Sequence, residues 1–214
     1  MSRMKLAGIS RTTTPPLESA RLAVILLHGR GSNTVDIMRV GEQWRLNDVA
    51  YVAPAAPNNT WYPNSFLAPI SKNEPQLSES LYLVEIAIGR CLLAGLTHDR
   101  IALAGFSQGA CLASEYVARN PKRYAALIAW TGGLLGPLGS DLKHEGSLEG
   151  TPVLLSSGDP DPHVPWQRVV ETATELERMG AQVSLQRHAG RPHTILPAEL
   201  AAARYLLESS VVAP

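Results

Sequence analysis

The stretch RIALAGFSQGACLASEYVAR, residues 100–119, decides the fold. Its first seven residues form a nearly continuous apolar run of strand length. From Gln108 onward the apolar positions carry helical spacing, which stops at Asn120-Pro121, a helix terminus. Between the two lies GFSQG (105–109), of the form G-x-S-x-G. A sharp strand-to-helix turn forces its serine into a strained backbone conformation, and the flanking glycines remove Cβ atoms that would collide. Ser107 is therefore expected to project its hydroxyl into the open, beside the Gln108 amide and the positive end of the helix.

Working outward, RLAVILL (21–27), VAYVA (49–53), YAALIAW (124–130), PVLLSS (152–157) and QVSLQRH (182–188) read as further strands. Residues 33–46, 77–96, 165–179 and 197–208 carry helical periodicity between and after them. Near-continuous apolar strands alternating with helices predict an α/β fold in one domain, with a mostly parallel sheet covered on both faces. The domain is expected over 21–208, with an N-terminal arm or edge strand over 1–20 and a C-terminal tail over 209–214. Ligands in such sheets bind beyond the carboxyl ends of the strands. The segments leaving those ends include HGRGSN (28–33), GDPDPHVP (158–165) and AGRPHT (189–194), where the reactive residue types gather.

Composition narrows the function classes. The chain of 214 residues is long enough for one well-cored domain and short for two, and 45% hydrophobic with 18% charged residues is a globular balance. Lys plus Arg equals Asp plus Glu, 19 each, so the basic excess of nucleic-acid binders is absent. The start MSRMKLAGIS lacks an apolar segment of signal-peptide type, and the uncharged run Ala125–Ser140 is short for a membrane span and broken by glycines and a proline. A cytoplasmic protein is expected, with no membrane partner; a homodimer is compatible with this reading. Cys91 and Cys111 fall inside helical patterns and read as buried small hydrophobes. No metal or other cofactor is expected, because no spacing suggests one.

A serine hydroxyl is a poor nucleophile until a base takes its proton, and the base needs an acid to orient it. In folds of this kind the chain order is Ser, then Asp or Glu, then His. His144 sits in a polar stretch that reads as solvated. His193, in a Gly/Pro-rich loop before the last helix, is the candidate base, with His188 at a strand end as the alternative. For the acid, Asp159 directly follows the strand and is expected to hydrogen-bond local backbone, as Asp does before Pro. Asp161 stands further out between two prolines that stiffen the loop. His163 is either a local loop residue or a pocket lining.

GFSQGA, GDPDPHVP and RPHT, with HGRG earlier, resemble the phospholipase/carboxylesterase family of α/β-hydrolases, a group that includes acyl-protein thioesterases and small bacterial carboxylesterases. The resemblance runs over about residues 21–208, with the motifs in the family's order. Its G-x-x-D-x-x-V-P pattern falls on Gly158, Asp161, Val164 and Pro165 and implies that Asp161 is the triad acid. Its H-G-x-G turn falls on His28–Gly31 and implies the Arg30 backbone amide as the oxyanion donor that joins Gln108, with His28 structural. Fixed donors of this kind are each worth roughly 3 kcal/mol of barrier. Arg30 departs from the leucine common in the thioesterase branch; its side chain either favours polar or anionic acyl groups or is simply solvated.

The irregular segment 54–75 is long enough to suggest function. Trp61, Tyr62, Phe66 and Leu67 are expected either to wall an acyl or alcohol pocket or to pack as a satellite core. The function expected is a serine carboxylesterase acting on a small soluble ester through an acyl-enzyme. Acyl thioesterase or lysophospholipase activity on longer chains is the alternative, followed by a catalytically silent binding protein.

Overall fold

The computed structural model describes residues 11–12 and 15–210. Among the described residues seven strands form one sheet in the order β1-β3-β2-β4-β5-β6-β7. They are β1 (Arg11–Thr12), β2 (Leu22–Leu27), β3 (Val49–Ala53), β4 (Ile101–Phe106), β5 (Ala126–Trp130), β6 (Pro152–Asp159) and β7 (Gln182–Ala189). β2 through β7 pair in parallel, and β1 adds an antiparallel edge against β3. The expected N-terminal arm is described only for this strand and for residues 15–20; the rest of it, and residues 211–214 of the expected tail, lie outside the described residues.

Among the described residues five α-helices cover the sheet: α1 (Thr34–Glu42), α2 (Gln76–Leu93), α3 (Gln108–Arg119), α4 (Trp166–Arg178) and α5 (Pro197–Ser209). Strand alternation divides the core in two. Ile25, Leu27 and Leu103 join the apolar cluster under α2, α3 and α4, whereas Val24, Leu26 and Ala104 join that under α1 and α5. No helix among the described residues is long and apolar enough to cross a membrane.

α1 starts where its sequence demands, at Asn33, whose side chain accepts the amides of Val35 and Asp36 at 2.8 and 3.1 Å. It ends at Glu42, four residues short of the expected Leu46. Trp44 turns inward there, buried against Tyr51 and Trp130, with its indole NH donating to Leu200 O at 3.1 Å. Burying that indole outweighs another helical turn, and Arg45 takes a left-handed conformation at φ 53°.

Two features fix the carboxyl edge of the sheet. A Cβ on Gly109 would lie 2.1 Å from Leu27 O, and one on Gly105 would lie 2.4 Å from Gly109 C and O. α3 therefore packs backbone to backbone on β2 and β4, which only glycine permits at these two positions. The second feature is a buried polar cluster below the 190–196 loop. Glu199, closed to solvent, accepts Ser156 Oγ at 2.5 Å and Leu196 N at 2.8 Å. Its Oε2 lies 3.6 Å from Arg191 Nε, and the Arg191 NH2 group donates to Thr131 Oγ1 at 2.5 Å. Arg191 O also presses on Gly158, where a Cβ would meet it at 2.7 Å. The loop is thus tied to the ends of β5 and β6 and to α5.

Gly109→Ala is expected to lower stability by about 3 kcal/mol, read as a fall in Tm of roughly 10 °C. Glu199→Leu, which leaves Arg191 buried without its counter-ion, is expected to cost about 3–5 kcal/mol. Adding Arg191→Met should recover most of that loss in the same thermal melt, because it removes the stranded charge.

Candidate active site

Ser107 stands between β4 and α3 at φ 54°, ψ −119°, outside the regions comfortable for a residue with a Cβ. Its amide donates to Trp130 O at 2.9 Å, which carries the β4–β5 pairing one residue past Phe106 and holds the turn. His193 Nε2 lies 2.9 Å from Ser107 Oγ, and its Nδ1 lies 2.9 and 3.2 Å from the two Asp161 oxygens. The His193 ring rests on Phe106, with centroids 4.9 Å apart.

Asp161 and Asp159 have divided their work differently from the sequence expectation. The turn hydrogen bonds come to Asp161, whose Oδ1 accepts the amides of His163 and Val164 at 2.9 and 3.0 Å. Asp159 instead reaches sideways to the guanidinium of Arg187 on the neighbouring strand β7. The reason is position: Asp159 is the last residue of β6 and is still in register with Ala189, so its neighbours are strand side chains. Burial by itself would raise the Asp161 carboxyl. The His163 amide, the His193 ring and the Val164 amide outweigh that, holding it below its ordinary value of 3.8. These contacts favour the charged carboxylate beside His193.

The other histidines fall elsewhere. His188 Nε2 contacts Ser156 Oγ at 3.0 Å in the cluster beneath the loop and is not brought to Ser107. His28 is buried, its Nδ1 donating to Gly29 O at 2.8 Å and its Nε2 accepting from Ala56 N at 3.2 Å. Burial lowers its pKa, so it is a neutral strut. His163 lies on the cavity wall, edge-on to His193 with centroids 4.9 Å apart.

A cavity of about 530 Å³ opens over Ser107 and is bordered by Arg30, Gln108, Tyr62, Phe66 and His163. Of the four residues expected as its apolar wall, Tyr62 and Phe66 line it. Trp61 does not. It is fully buried, stacks on His28 at 4.9 Å and donates its indole NH to His28 O at 2.8 Å. Leu67 packs, half-buried, against the main core instead of the cavity. Segment 54–75 therefore forms no satellite core: Trp61, Tyr62 and Phe66 belong to the main core under α2, α3 and α4, and Tyr62 and Phe66 also border the cavity.

Sequence reasoning missed what holds that segment. The Gln108 side chain accepts Trp61 N at 3.0 Å and donates to Tyr62 O at 2.7 Å. The Arg30 guanidinium donates to Pro63 O and Asn64 O at 2.9 and 2.6 Å. Arg30 is thus more than solvated, since its guanidinium clamps the wall. The backbone amides of these same two residues donate to no protein acceptor among the described residues. Cys111 also borders the cavity, but burial pushes its thiol up to about 12, which keeps it protonated. Among the described residues no group of three or more His, Cys, Asp or Glu side chains is placed to hold a metal.

Similarity to known proteins agrees with this architecture. The family model described as phospholipase/carboxylesterase matches residues 10–211. Acyl-protein thioesterase 1 of Neurospora crassa is 28% identical, over 91% of this chain and 90% of its own. Its namesake in Schizosaccharomyces pombe is 31% identical over 74% and 77% of the two chains. A crystal structure of a phospholipase/carboxylesterase from Dyadobacter fermentans superposes with a TM-score of 0.89 at 42% identity, covering 94% of this chain and 96% of that one. With the strand order, the serine turn and a family match over nearly its whole length, the chain belongs to the phospholipase/carboxylesterase family of α/β-hydrolases and is a hydrolase.

Proposed function

We propose that the protein is a serine carboxylesterase that hydrolyses small soluble carboxylic esters through an acyl-enzyme, with Ser107 as nucleophile, His193 as base and Asp161 as the acid that orients it. The observation that carries this reading is the unbroken chain of contacts from Asp161 through His193 to Ser107 Oγ, each link at 2.9 Å. His193 Nε2 takes the serine proton as the oxygen attacks the ester carbonyl, and returns it to the departing alcohol. Water then repeats the cycle on the acyl-serine. The Asp161 carboxylate holds Nδ1–H and stabilises the imidazolium in between.

The oxyanion formed at each step needs donors that no other group has taken. The Arg30 and Gln108 amides meet that condition, and both residues border the cavity above Ser107. Tyr62 and Phe66, both largely buried, border the same cavity. The reading includes a cytoplasmic location and a substrate free in solution. A second reading, acyl thioesterase activity, draws on the curated relatives named acyl-protein thioesterase 1. It uses the same three residues on a longer acyl chain.

Ser107→Ala is expected to abolish both fluorophosphonate labelling and ester turnover; labelling that survives would remove Ser107 from the mechanism. Asp161→Asn should cut kcat by about 10⁴-fold through loss of the orienting charge, whereas Asp159→Asn, which loses only its partner Arg187, should leave kcat within about threefold. The opposite ranking would give the role of orienting acid to Asp159. Across a series of aryl esters from acetate to palmitate, kcat/KM is expected to peak at short acyl chains. A peak at the long end would favour the thioesterase reading.

A further inference from the structure

A second cavity, of about 290 Å³, lies between α1 and the segment that leads into α5. It shares Gly29, Ser32, Phe106 and His193 with the larger cavity but borders neither Ser107 nor Gln108. Ile37, Val40, Ile195 and Leu200 give it apolar walls. Asp36 is the one carboxylate on its lining, already accepting Ser32 Oγ at 3.0 Å and Asn33 Nδ2 at 2.9 Å.

The chemistry of acyl transfer distinguishes the two spaces. When Ser107 Oγ bonds to the carbonyl carbon, the carbonyl electron pair moves to its oxygen and the serine proton moves to His193 Nε2. On collapse that pair returns, the bond to the alcohol oxygen breaks, and His193 Nε2 gives its proton to that oxygen. The acyl group stays on Ser107 and the alcohol departs past His193. A cavity that borders Ser107 and Gln108 therefore suits the acyl group. One that borders His193 without Ser107 suits the leaving group.

We propose that the smaller cavity is the leaving-alcohol site and that it takes compact, uncharged, largely apolar alcohols: short alkyl groups or a single aromatic ring. This rests on the reading of Ser107 and His193 as nucleophile and base. The volume fits the class, since a dry cavity of about 150 Å³ already accommodates benzene. The Asp36 carboxylate opposes an anionic headgroup such as a phosphate, so an ester of a glycerophosphate is a poor occupant. Each added methylene in an apolar pocket is worth about 10–200-fold in discrimination, enough for a measurable preference.

The test varies the alcohol and the acyl group separately. Methyl, butyl and benzyl butyrate are followed by titrating the released acid, and a 4-nitrophenyl series from acetate to octanoate is followed by absorbance. In the Val40→Phe protein, whose new ring fills the smaller cavity, the benzyl-to-methyl ratio of kcat/KM is expected to fall at least about tenfold. The acyl-chain profile should keep its wild-type shape. In the Val40→Ala protein the same ratio should rise about threefold, which keeps the test in hand if the larger side chain impairs folding. An unchanged ratio in both variants, or a shift in the acyl profile in place of the alcohol ratio, would overturn the assignment. Failure of the hydrolase reading looks different: the wild-type protein would then cleave neither series and Ser107 would resist fluorophosphonate, and the leaving-group site would fall with it.

Discussion

Everything at the carboxyl edge of the sheet depends on the distance between α3 and the strands beneath it. Gly105 and Gly109 face each other across that gap, with Leu27 O as the third party. Were the helix lifted by the width of a methyl group, Ser107 would move away from His193, which the 190–196 loop holds to the ends of β5 and β6 and to α5 and not to α3. The strained φ of Ser107 belongs to the same constraint. A turn this tight persists because the helix on one side and the Trp130 carbonyl on the other leave the serine no relaxed alternative.

Within that frame Arg30 and Gln108 each serve twice, through different atoms. Their side chains hold the backbone carbonyls and amides of residues 61–64, which forms the cavity wall from a segment without regular structure. Their backbone amides donate to no protein acceptor among the described residues. A side chain engaged in this way locks the position of its own main chain, so a donor held by its side chain does not have to be reorganised when charge develops. The wall and the candidate oxyanion hole are therefore one construction, and a substitution in either side chain is transmitted to both.

The fold was legible because its signals are local. Strand-length runs of Val, Ile, Leu and Ala, G-x-S-x-G between a strand and a helix, and Asn33 ahead of α1 each act within a few residues of themselves. Chain order and the ends of parallel strands narrowed the site to Ser107, a few histidines and the pair Asp159 and Asp161, and it was the resemblance to the family that implied Asp161. What escaped depends on long-range partners. Nothing near Trp61 in sequence announces that its indole meets His28 O, 33 residues away. Nothing near Asp159 says that Arg187 waits on the next strand, so the expected local turn bond went to Asp161 instead. Apolar composition in a loop does not reveal which of its buried rings borders a cavity: Trp61 and Tyr62, adjacent in the chain, are both buried in the core, and of the two only Tyr62 borders the cavity over Ser107.

The buried pair of Arg191 and Glu199 shows how the edge tolerates mobile chemistry on a rigid base. A loop that carries a histidine able to gain and lose a proton has to stay put in both states, and a short Gly/Pro-rich segment has little apolar surface with which to anchor itself. Burying a charged pair gains little net stability over an apolar pair, but its geometry is demanding. Arg191 must reach Thr131, at the end of the strand that also receives the Ser107 amide, while Glu199 caps α5 through Leu196. The position of His193 is thereby referred to the same strand as that of Ser107, and the 2.9 Å between them follows from a shared support instead of from the hydrogen bond that spans it.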